Sequence, residues 1–236
     1  MAIDKIVSFS GGKDSTAMLL MMIEKGMQID NIVFVDTTKE FPQMLEHIDR
    51  VEKYIAPLKI ERRTIDFDYW FSKHVKTKGK NIGSKGYGWP GPLSRWCTRL
   101  KITQLSKYKG VHYVGIAADE FKRIERAKKS GLVMPLVDWG VTETDALEYC
   151  YKKGFDWGGL YKVFRRVSCW CCPLQRISEL RKIYNQFPDI WMQLKDMDKN
   201  KGNSIHKFTS SRSLDDFEKM FREEKDESFY FEMWGK

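Results

Sequence analysis

The residues best suited to chemistry are Ser8-Phe9-Ser10-Gly11-Gly12-Lys13-Asp14-Ser15-Thr16, set between the apolar runs Ile3-Asp4-Lys5-Ile6-Val7 and Ala17-Met18-Leu19-Leu20-Met21-Met22. The order reads as a strand, a glycine turn and a helix start. Adjacent glycines let backbone N–H groups approach an anion with no Cβ in the way, and a new helix adds unpaired N–H donors and a positive dipole end. Lys13 brings a point charge, and the hydroxyls of Ser10, Ser15 and Thr16 are donors for phosphate oxygens. An ordinary β–α turn would use the same glycines without a ligand. The spacing excludes the P-loop of kinases and GTPases, which separates its first glycine from its Gly-Lys pair by four residues.

Further candidates are spread along the chain. Asp36-Thr37-Thr38-Lys39-Glu40-Phe41-Pro42 follows a strand and opens a helix, so Asp36 could accept from a ribose hydroxyl, hold Mg²⁺ through water, or simply cap a turn. In Arg95-Trp96-Cys97-Thr98-Arg99-Leu100-Lys101, Cys97 beside two arginines at a helix start favours a thiolate, for a metal or for nucleophilic attack, although a lone cysteine also serves as a small apolar core residue. Gly115-Ile116-Ala117-Ala118-Asp119-Glu120 leads to Arg123 and Arg126. Arg123 could clamp a phosphate or sulfate through two oxygens, or pair with Glu120 and Glu125 on a solvated helix face. Cys169-Trp170-Cys171-Cys172-Pro173 has the C-x-x-C spacing of zinc and iron–sulfur sites, and two thiolates need a further ligand from elsewhere. With Cys97 alongside Cys169 and Cys172, three thiolates suit a [4Fe–4S] cluster with one open iron, or zinc. Cys150 lies in an amphipathic helix, where burial accounts for it.

Ser10-Gly11-Gly12-Lys13-Asp14-Ser15 resembles the pyrophosphate loop (PP-loop) of the N-type ATP pyrophosphatase superfamily, whose members cleave ATP between its α and β phosphates. Within it, the chain resembles the phosphoadenosine phosphosulfate (PAPS) reductase family over most of residues 3–175. The resemblance implies a Rossmann-like, adenine nucleotide alpha hydrolase-like α/β fold and an enzyme that binds ATP or a PAPS-like adenine nucleotide with Mg²⁺. It implies that Ser8, Ser10, Gly11, Gly12, Lys13, Asp14, Ser15 and Thr16 surround the phosphates. Asp36 and Thr37 would meet the nucleotide end, and Arg99, Lys101, Gly115 and Arg123 would complete the pocket. Lys13, Asp14, Cys97 and Arg123 are the residues expected at the chemistry. The departures matter as much. Adenylyl-sulfate reductases of the family hold their cluster with a cysteine pair and a later C-x-x-C, whereas Trp96-Cys97 stands here in place of the pair. The reductases also attack sulfur with a cysteine in a Glu-Cys-Gly context, and the residues after Cys172 contain no cysteine. The expectation is therefore α–β cleavage that activates an acceptor for sulfur transfer, as in the DNA phosphorothioation sulfurtransferases that the chain also resembles. A sulfonucleotide reductase, or a non-catalytic binding module with structural zinc, are the alternatives.

The elements that must position these residues read as an α/β chain. Ile3–Phe9, Asn31–Asp36, Lys59–Ile65 and Val111–Ile116 have strand character. Helical patterns cover Asp14–Lys25, Pro42–Ile55 and a stretch starting near Arg99, which implies a parallel sheet with crossover helices. Ligands of such sheets bind beyond the carboxyl ends of the strands, where the loop and Asp36 both fall. Lys73–Pro92, with its Lys76–Lys80 run and six Gly/Pro residues after it, reads as a loop. Thr142 or Thr144 would cap a helix ending near Lys153. After Cys169 the chain is mostly helical, at Ile177–Gln186, Asp189–Lys195 and Ser213–Glu223. Two domains are expected, a nucleotide-binding α/β domain at 1–168 and a cysteine motif with helical extension at 169–236. At 236 residues, 42% hydrophobic, with eight Trp and fourteen Phe, the chain can bury a core and is not disordered. Its net charge of +9 points to an anionic partner. An adenine nucleotide, a nucleic-acid acceptor and a sulfur-donor protein are the partners expected. No run approaches the roughly eighteen apolar residues of a membrane span and no signal-like segment opens the chain, so a cytoplasmic protein is expected. The absence of a signal sequence also sets the five cysteines against a disulfide scaffold.

Overall fold

The computed structural model describes residues 3–79, 81–202 and 207–234. The chain divides into two compact units, residues 1–65 with 98–168, and residues 66–97 with 169–236. Residues 66–97, expected within the first domain, thus group with the C-terminal region. Lys80 of the basic run lies outside the described residues.

In the first unit, four strands form one parallel sheet in the order β3-β2-β1-β4: β1 Lys5–Phe9, β2 Asn31–Asp36, β3 Ile60–Thr64 and β4 Val111–Val114. β2 reads Asn-Ile-Val-Phe-Val-Asp, and its apolar run is buried throughout, as a strand covered on both faces requires. At the edge, β3 buries Ile60 and exposes Glu61 and Arg62, charges that discourage pairing with another chain. The crossovers are α1 Lys13–Glu24, α2 Pro42–Tyr54 and α3 Trp96–Leu105, the last of which begins in the second unit. Then follow α4 Phe121–Lys129, α5 Pro135–Asp138, α6 Glu143–Lys152, a 3₁₀ turn at Trp157–Gly159 and α7 Leu160–Val163. Thr142 caps α6 through a capping box, its hydroxyl accepting from the Asp145 N–H while the Asp145 carboxylate accepts from the Thr142 N–H.

Because β1 has β2 on one side and β4 on the other, the strand order reverses direction there. The crevice at such a switch point is where open α/β sheets place ligands. β4 is shorter than the pattern implied. It stops at Val114 because Gly115 turns in toward α1, and the Ile116 N–H bonds back to the Val114 carbonyl at 3.0 Å. β1 likewise begins at Lys5, leaving Ile3 exposed.

The second unit contains a π-helical turn at Tyr69–Lys73 and the helices α8 Ile177–Gln186, α9 Pro188–Lys199 and α10 Leu214–Trp234. The last two are longer than expected, α9 opening on Pro188 at its first turn, a position that suits proline. An aromatic core runs through this unit, with Trp89 edge-on to both Phe71 (4.7 Å) and Phe208 (4.9 Å), and Phe217 stacked on Phe221 (5.9 Å). Among the described residues, no helix is long and apolar enough to cross a membrane.

Candidate functional site

β1 ends at Phe9, α1 begins at Lys13, and the three residues between them form the loop. Gly11 has a φ of +77°, and a Cβ there would lie 2.7 Å from Met44 Sδ and 3.1 Å from Ile48 on α2. Only glycine meets both conditions. Gly12 caps α1 with no side chain of its own, so it takes none of the first-turn N–H groups; the Lys13 N–H is held instead by the Tyr161 hydroxyl at 2.9 Å. Inside the loop the Ser10 and Ser15 hydroxyls meet at 2.9 Å, and Ser15 donates to the Gly12 carbonyl at 3.0 Å. Thr16 donates to the Gly11 carbonyl at 3.3 Å. Ser8 is the exception among the expected hydroxyls, since its Oγ faces His112 Nδ1 on β4 at 3.5 Å.

Lys13 is the charge centre. Its ammonium lies 3.0 Å from Asp14 and 2.8 Å from Glu143, the first residue of α6, and its side chain is nearly buried. Burial pushes the Asp14 carboxyl above its usual range, with the Lys13 charge pulling the other way and Glu120 and Glu143 adding to the rise. Burial acts on Glu143 in the same direction, but the Lys13 hydrogen bond and charge outweigh it and hold that carboxyl low. One cation thus faces two carboxylates, so a bound polyphosphate would need additional positive charge.

Gly115 brings β4 against this site. A Cβ there would lie 2.5 Å from both the N and the Cα of Ser15. The glycine therefore allows backbone to touch backbone where the helix starts. Beyond it, Glu120 is almost fully buried and gathers Arg123 (2.5 and 2.7 Å) and Arg166 (3.1 Å). Arg123 is engaged by a carboxylate, so gripping a phosphate would require it to exchange partners.

At the end of β2, the Asp36 carboxylate accepts the Thr38 N–H at 2.6 Å, holding Thr38 at a φ of +60°. A β-branched residue in that region is strained, and such strain gathers at binding sites. Thr37 is buried and donates to Glu40 at 3.0 Å, while Lys101 reaches the same carboxylate at 3.3 Å. Arg99 is exposed on α3. The first unit therefore brings the loop, Gly115 and the Glu120–Arg123 pair into one crevice, with the Asp36–Thr37 turn and Lys101 at the end of the adjacent strand.

The cysteines divide differently. Cys97, Cys169, Cys171 and Cys172 all belong to the second unit. Cys97, Cys169 and Cys172 are half-buried, and the Cys172 N–H closes a turn on the Cys169 carbonyl at 3.2 Å. Their donor chemistry fits a thiolate-bound metal. Among the described residues, however, no three His, Cys, Asp or Glu side chains are gathered as metal ligands. Cys150 is in the first unit, buried, with its thiol 3.6 Å from the Lys13 carbonyl and its pKa pushed up by burial and by Asp14.

The model of the phosphoadenosine phosphosulfate reductase domain matches residues 4–175. The chain belongs to that family. Two relatives are uncharacterized proteins of Methanocaldococcus jannaschii. One is 30% identical over 79% of this chain and 39% of its own length, the other 26% identical over 83% and 47%. An uncharacterized nin region protein of Escherichia phage lambda is 28% identical over 64% of this chain and 60% of its own. The chain thus spans less than half of either archaeal relative. Among solved structures, the U34-tRNA thiolase NcsA from Methanococcus maripaludis with its [4Fe-4S] cluster overlaps 93% of this chain and 72% of its own, at 12% identity and a TM-score of 0.42. A predicted subunit of tRNA methyltransferase from Methanocaldococcus jannaschii overlaps 79% and 89%, at 15% identity and a TM-score of 0.35.

In this member of the PAPS reductase family, the residues that sequence reasoning missed are the ones bracing the loop. Trp157 is fully buried and donates its indole N–H to the Gly11 carbonyl at 2.7 Å. It stacks on His47 at 4.3 Å, and His47 Nε2 meets the Thr16 hydroxyl at 3.0 Å. Burial drives the His47 pKa down to about 3, so the ring is neutral. The Tyr161 hydroxyl accepts the Lys13 N–H at 2.9 Å. Trp157 sits at a φ of +52°, ahead of Gly158 at +57° and Gly159 at +84°. The string Asp156-Trp157-Gly158-Gly159 was the available signal, because consecutive glycines after an aspartate mark a tight turn.

Proposed function

We propose that this chain binds an adenine nucleotide with its pyrophosphate on the Ser10–Thr16 loop and cleaves it between the α and β phosphates, activating an acceptor for sulfur transfer. The observation that carries the reading is the cradle itself: a glycine turn at the sheet's switch point, the start of α1 with no side-chain cap from Gly12, and a nearly buried Lys13. Family membership supports it. Backbone N–H groups of the loop and the Lys13 ammonium would stabilise the leaving pyrophosphate as charge develops on it. Mg²⁺ would supply the countercharge that Lys13 lacks, held by phosphate oxygens together with one or two carboxylates, for which Asp14 and Glu143 are placed. An acceptor oxygen forms a bond to the α-phosphorus, the bond to the bridging oxygen breaks, and pyrophosphate departs. A sulfur nucleophile from a donor protein then displaces AMP from the adenylated acceptor. Cys97, Cys169 and Cys172 are the ligands we assign to a [4Fe–4S] cluster or zinc, which would bind and deliver that sulfur. Arg123 and Arg166 are available to the nucleotide once they leave Glu120.

The test is pyrophosphate release from ATP with Mg²⁺, run beside sulfite release from PAPS and adenylyl sulfate with a thioredoxin system. Lys13→Ala removes one charge-assisted contact and should cost about 1.5–3 kcal/mol of nucleotide affinity by calorimetry. Unchanged affinity for ATP and PAPS in that variant refutes the loop assignment. Sulfite release without pyrophosphate release replaces the sulfur-transfer reading with a reductase.

A further inference from the structure

The second unit carries a cleft of about 740 Å³ that the nucleotide site does not use, lined by Tyr87, Trp89, Leu93, Leu174, Lys207 and Phe208 among others. Trp89 and Phe208 are packed edge to face and buried, and the Trp89 indole N–H donates to Asp198 at 2.6 Å, so they form a fixed floor. The rim is the unusual part. Gly91 and Ser94 exchange both backbone hydrogen bonds, at 3.1 and 3.2 Å, which closes a tight turn with Pro92 and Leu93 at its tip. Leu93 is fully solvent-exposed and Leu174 is 40% exposed. Outside the cleft lining, the same unit has a second turn that holds Ile82, 67% exposed, between the Val75–Lys85 bridge and the Gly83 N–H bond to the Lys76 carbonyl. Ordered apolar tips left in water are the mark of a surface that meets a ligand.

Charge identifies the ligand. The segments 69–97, 169–178 and 199–214, which contain the lining residues, carry six, one and four Lys/Arg and no Asp or Glu; Asp198, the carboxylate bonded to the cleft floor, is engaged by the Trp89 indole and by Lys201 at 3.1 Å. The rest of the second unit has abundant acidic residues, so the asymmetry is local. A ligand that puts repeating negative charge beside flat apolar faces satisfies both features. Single-stranded nucleic acid does so, with phosphates on the lysines and unstacked bases against the apolar tips and floor. An acidic peptide has the charge without the regular planar faces.

We infer that this cleft binds single-stranded nucleic acid, with Leu93 as an apolar contact to a base and Lys207 among the phosphate contacts. The inference names a partner for the acceptor step of the proposed function; strand binding itself is independent of that reading, and only the sulfur transfer after binding rests on it. Pro173 is bonded to Cys172 and Ser94 stands three residues before Cys97. The cleft thus borders both elements assigned to sulfur delivery.

Fluorescence anisotropy on the full chain decides it, using fluorescein-labelled fifteen-nucleotide single strands of RNA and of DNA and the matching duplexes. A single strand should bind at least tenfold more tightly than its duplex. Leu93→Ser, at a fully exposed position, should weaken binding about tenfold at fixed salt with the slope of log Kd against log salt unchanged. Lys207→Ala should reduce that slope by about 0.7, the amount each phosphate neutralised on a single strand accounts for. Preference for RNA or for DNA identifies the source of the strand, and either supports the inference. Duplex binding as tight as single-strand binding, or Leu93→Ser binding like the parent, overturns it. Pyrophosphate release from ATP, measured on the same preparation, separates the two proposals. Strand binding without that release leaves the cleft standing and removes the sulfur-transfer reading, and the reverse result removes the cleft alone.

Discussion

Gly115→Ala is the sharpest perturbation of the loop that leaves every loop residue in place. The added Cβ would stand 2.5 Å from Ser15 N and Cα and 2.8 Å from the Asp14 carbonyl carbon, all backbone atoms. Ordinary contact begins near 3.4 Å, so β4 and the start of α1 must separate by about 0.9 Å, and neither can do so by turning a side chain. Overpacking of this kind costs about 1–3 kcal/mol of stability. The functional cost is of the same size, because a misplacement near 1 Å in a catalytic frame can cost about 100-fold in rate, or about 2.7 kcal/mol. Gly12→Ala is the paired control. Its φ is −71°, and its Cβ would lie 3.4 Å from the Tyr161 hydroxyl, which is ordinary contact. Gly12→Ala should therefore keep the parent's denaturation midpoint while losing nucleotide affinity, since its methyl intrudes only when a phosphate arrives. Gly115→Ala should lose both. Urea denaturation and ATP calorimetry on the two variants supply the comparison. A Gly115→Ala protein with parental stability and parental ATP affinity would refute the claim that this strand end fixes the loop.

The bracing residues and the thiols can be tested in the same way. Trp157→Phe keeps an aromatic ring and removes the indole donor, so the Gly11 carbonyl loses its closer partner and keeps only the Thr16 hydroxyl at 3.3 Å; a loss of about 0.5–1.5 kcal/mol in urea denaturation is expected, with weaker nucleotide binding, and no change in either would show that the indole does not brace the loop. His47 has a folded-state pKa near 3 against an ordinary 6.5, so its contribution is present above pH 6.5 and is lost as pH falls from there toward 3, at about 1.4 kcal/mol per pH unit. His47→Gln should flatten the stability profile across that window even if it lowers the plateau, and an unchanged slope would assign the acid sensitivity elsewhere. Cys97→Ser, Cys169→Ser and Cys172→Ser should each strip iron or zinc from anaerobically purified protein and abolish turnover, whereas Cys150→Ser should do neither; full metal content in Cys97→Ser would confine the site to the C-x-x-C turn.

The readable parts of this chain were those written in local chemistry. The apolar runs of β1, β2 and β4 marked three strands, because a parallel strand covered on both faces needs Val, Ile and Phe, and the edge strand β3 showed through its place after a helical pattern. The strand, glycine turn and helix start of the loop were legible for the same reason, since the positive φ of Gly11 is a local requirement written in the sequence. Thr142 or Thr144 could be named as a cap from their place at the start of α6, and it is Thr142 that forms the capping box. What stayed hidden depends on contacts between distant residues. Glu143 reads as an acidic residue in the first turn of a helix, which the dipole alone would explain. Its contact with Lys13 spans 130 positions.

Trp157 and Tyr161 show the same limit from the other side. Aromatic spacing marks them as core, and Trp157 is buried and Tyr161 half-buried, yet each spends its polar atom on the loop, the indole on Gly11 and the hydroxyl on Lys13. Hydrophobic pattern locates a buried aromatic ring but carries no information about where its one polar atom points. The grouping of residues 66–97 with 169–236 was invisible for a related reason. A Gly- and Lys-rich segment with few regular hydrogen bonds reads as a loop by composition, while its apolar residues, Phe67, Phe71, Trp89 and Trp96, are too widely spaced to declare a strand or a helix. They are buried all the same, and with Trp96 donating to the Gly88 carbonyl at 3.0 Å they tie that segment into a body of its own. The second unit therefore owes its coherence to aromatic side chains and not to a ladder. Leu93 and Ile82, the most exposed large apolar residues among its described ones, stand out for that reason as residues the fold itself does not use.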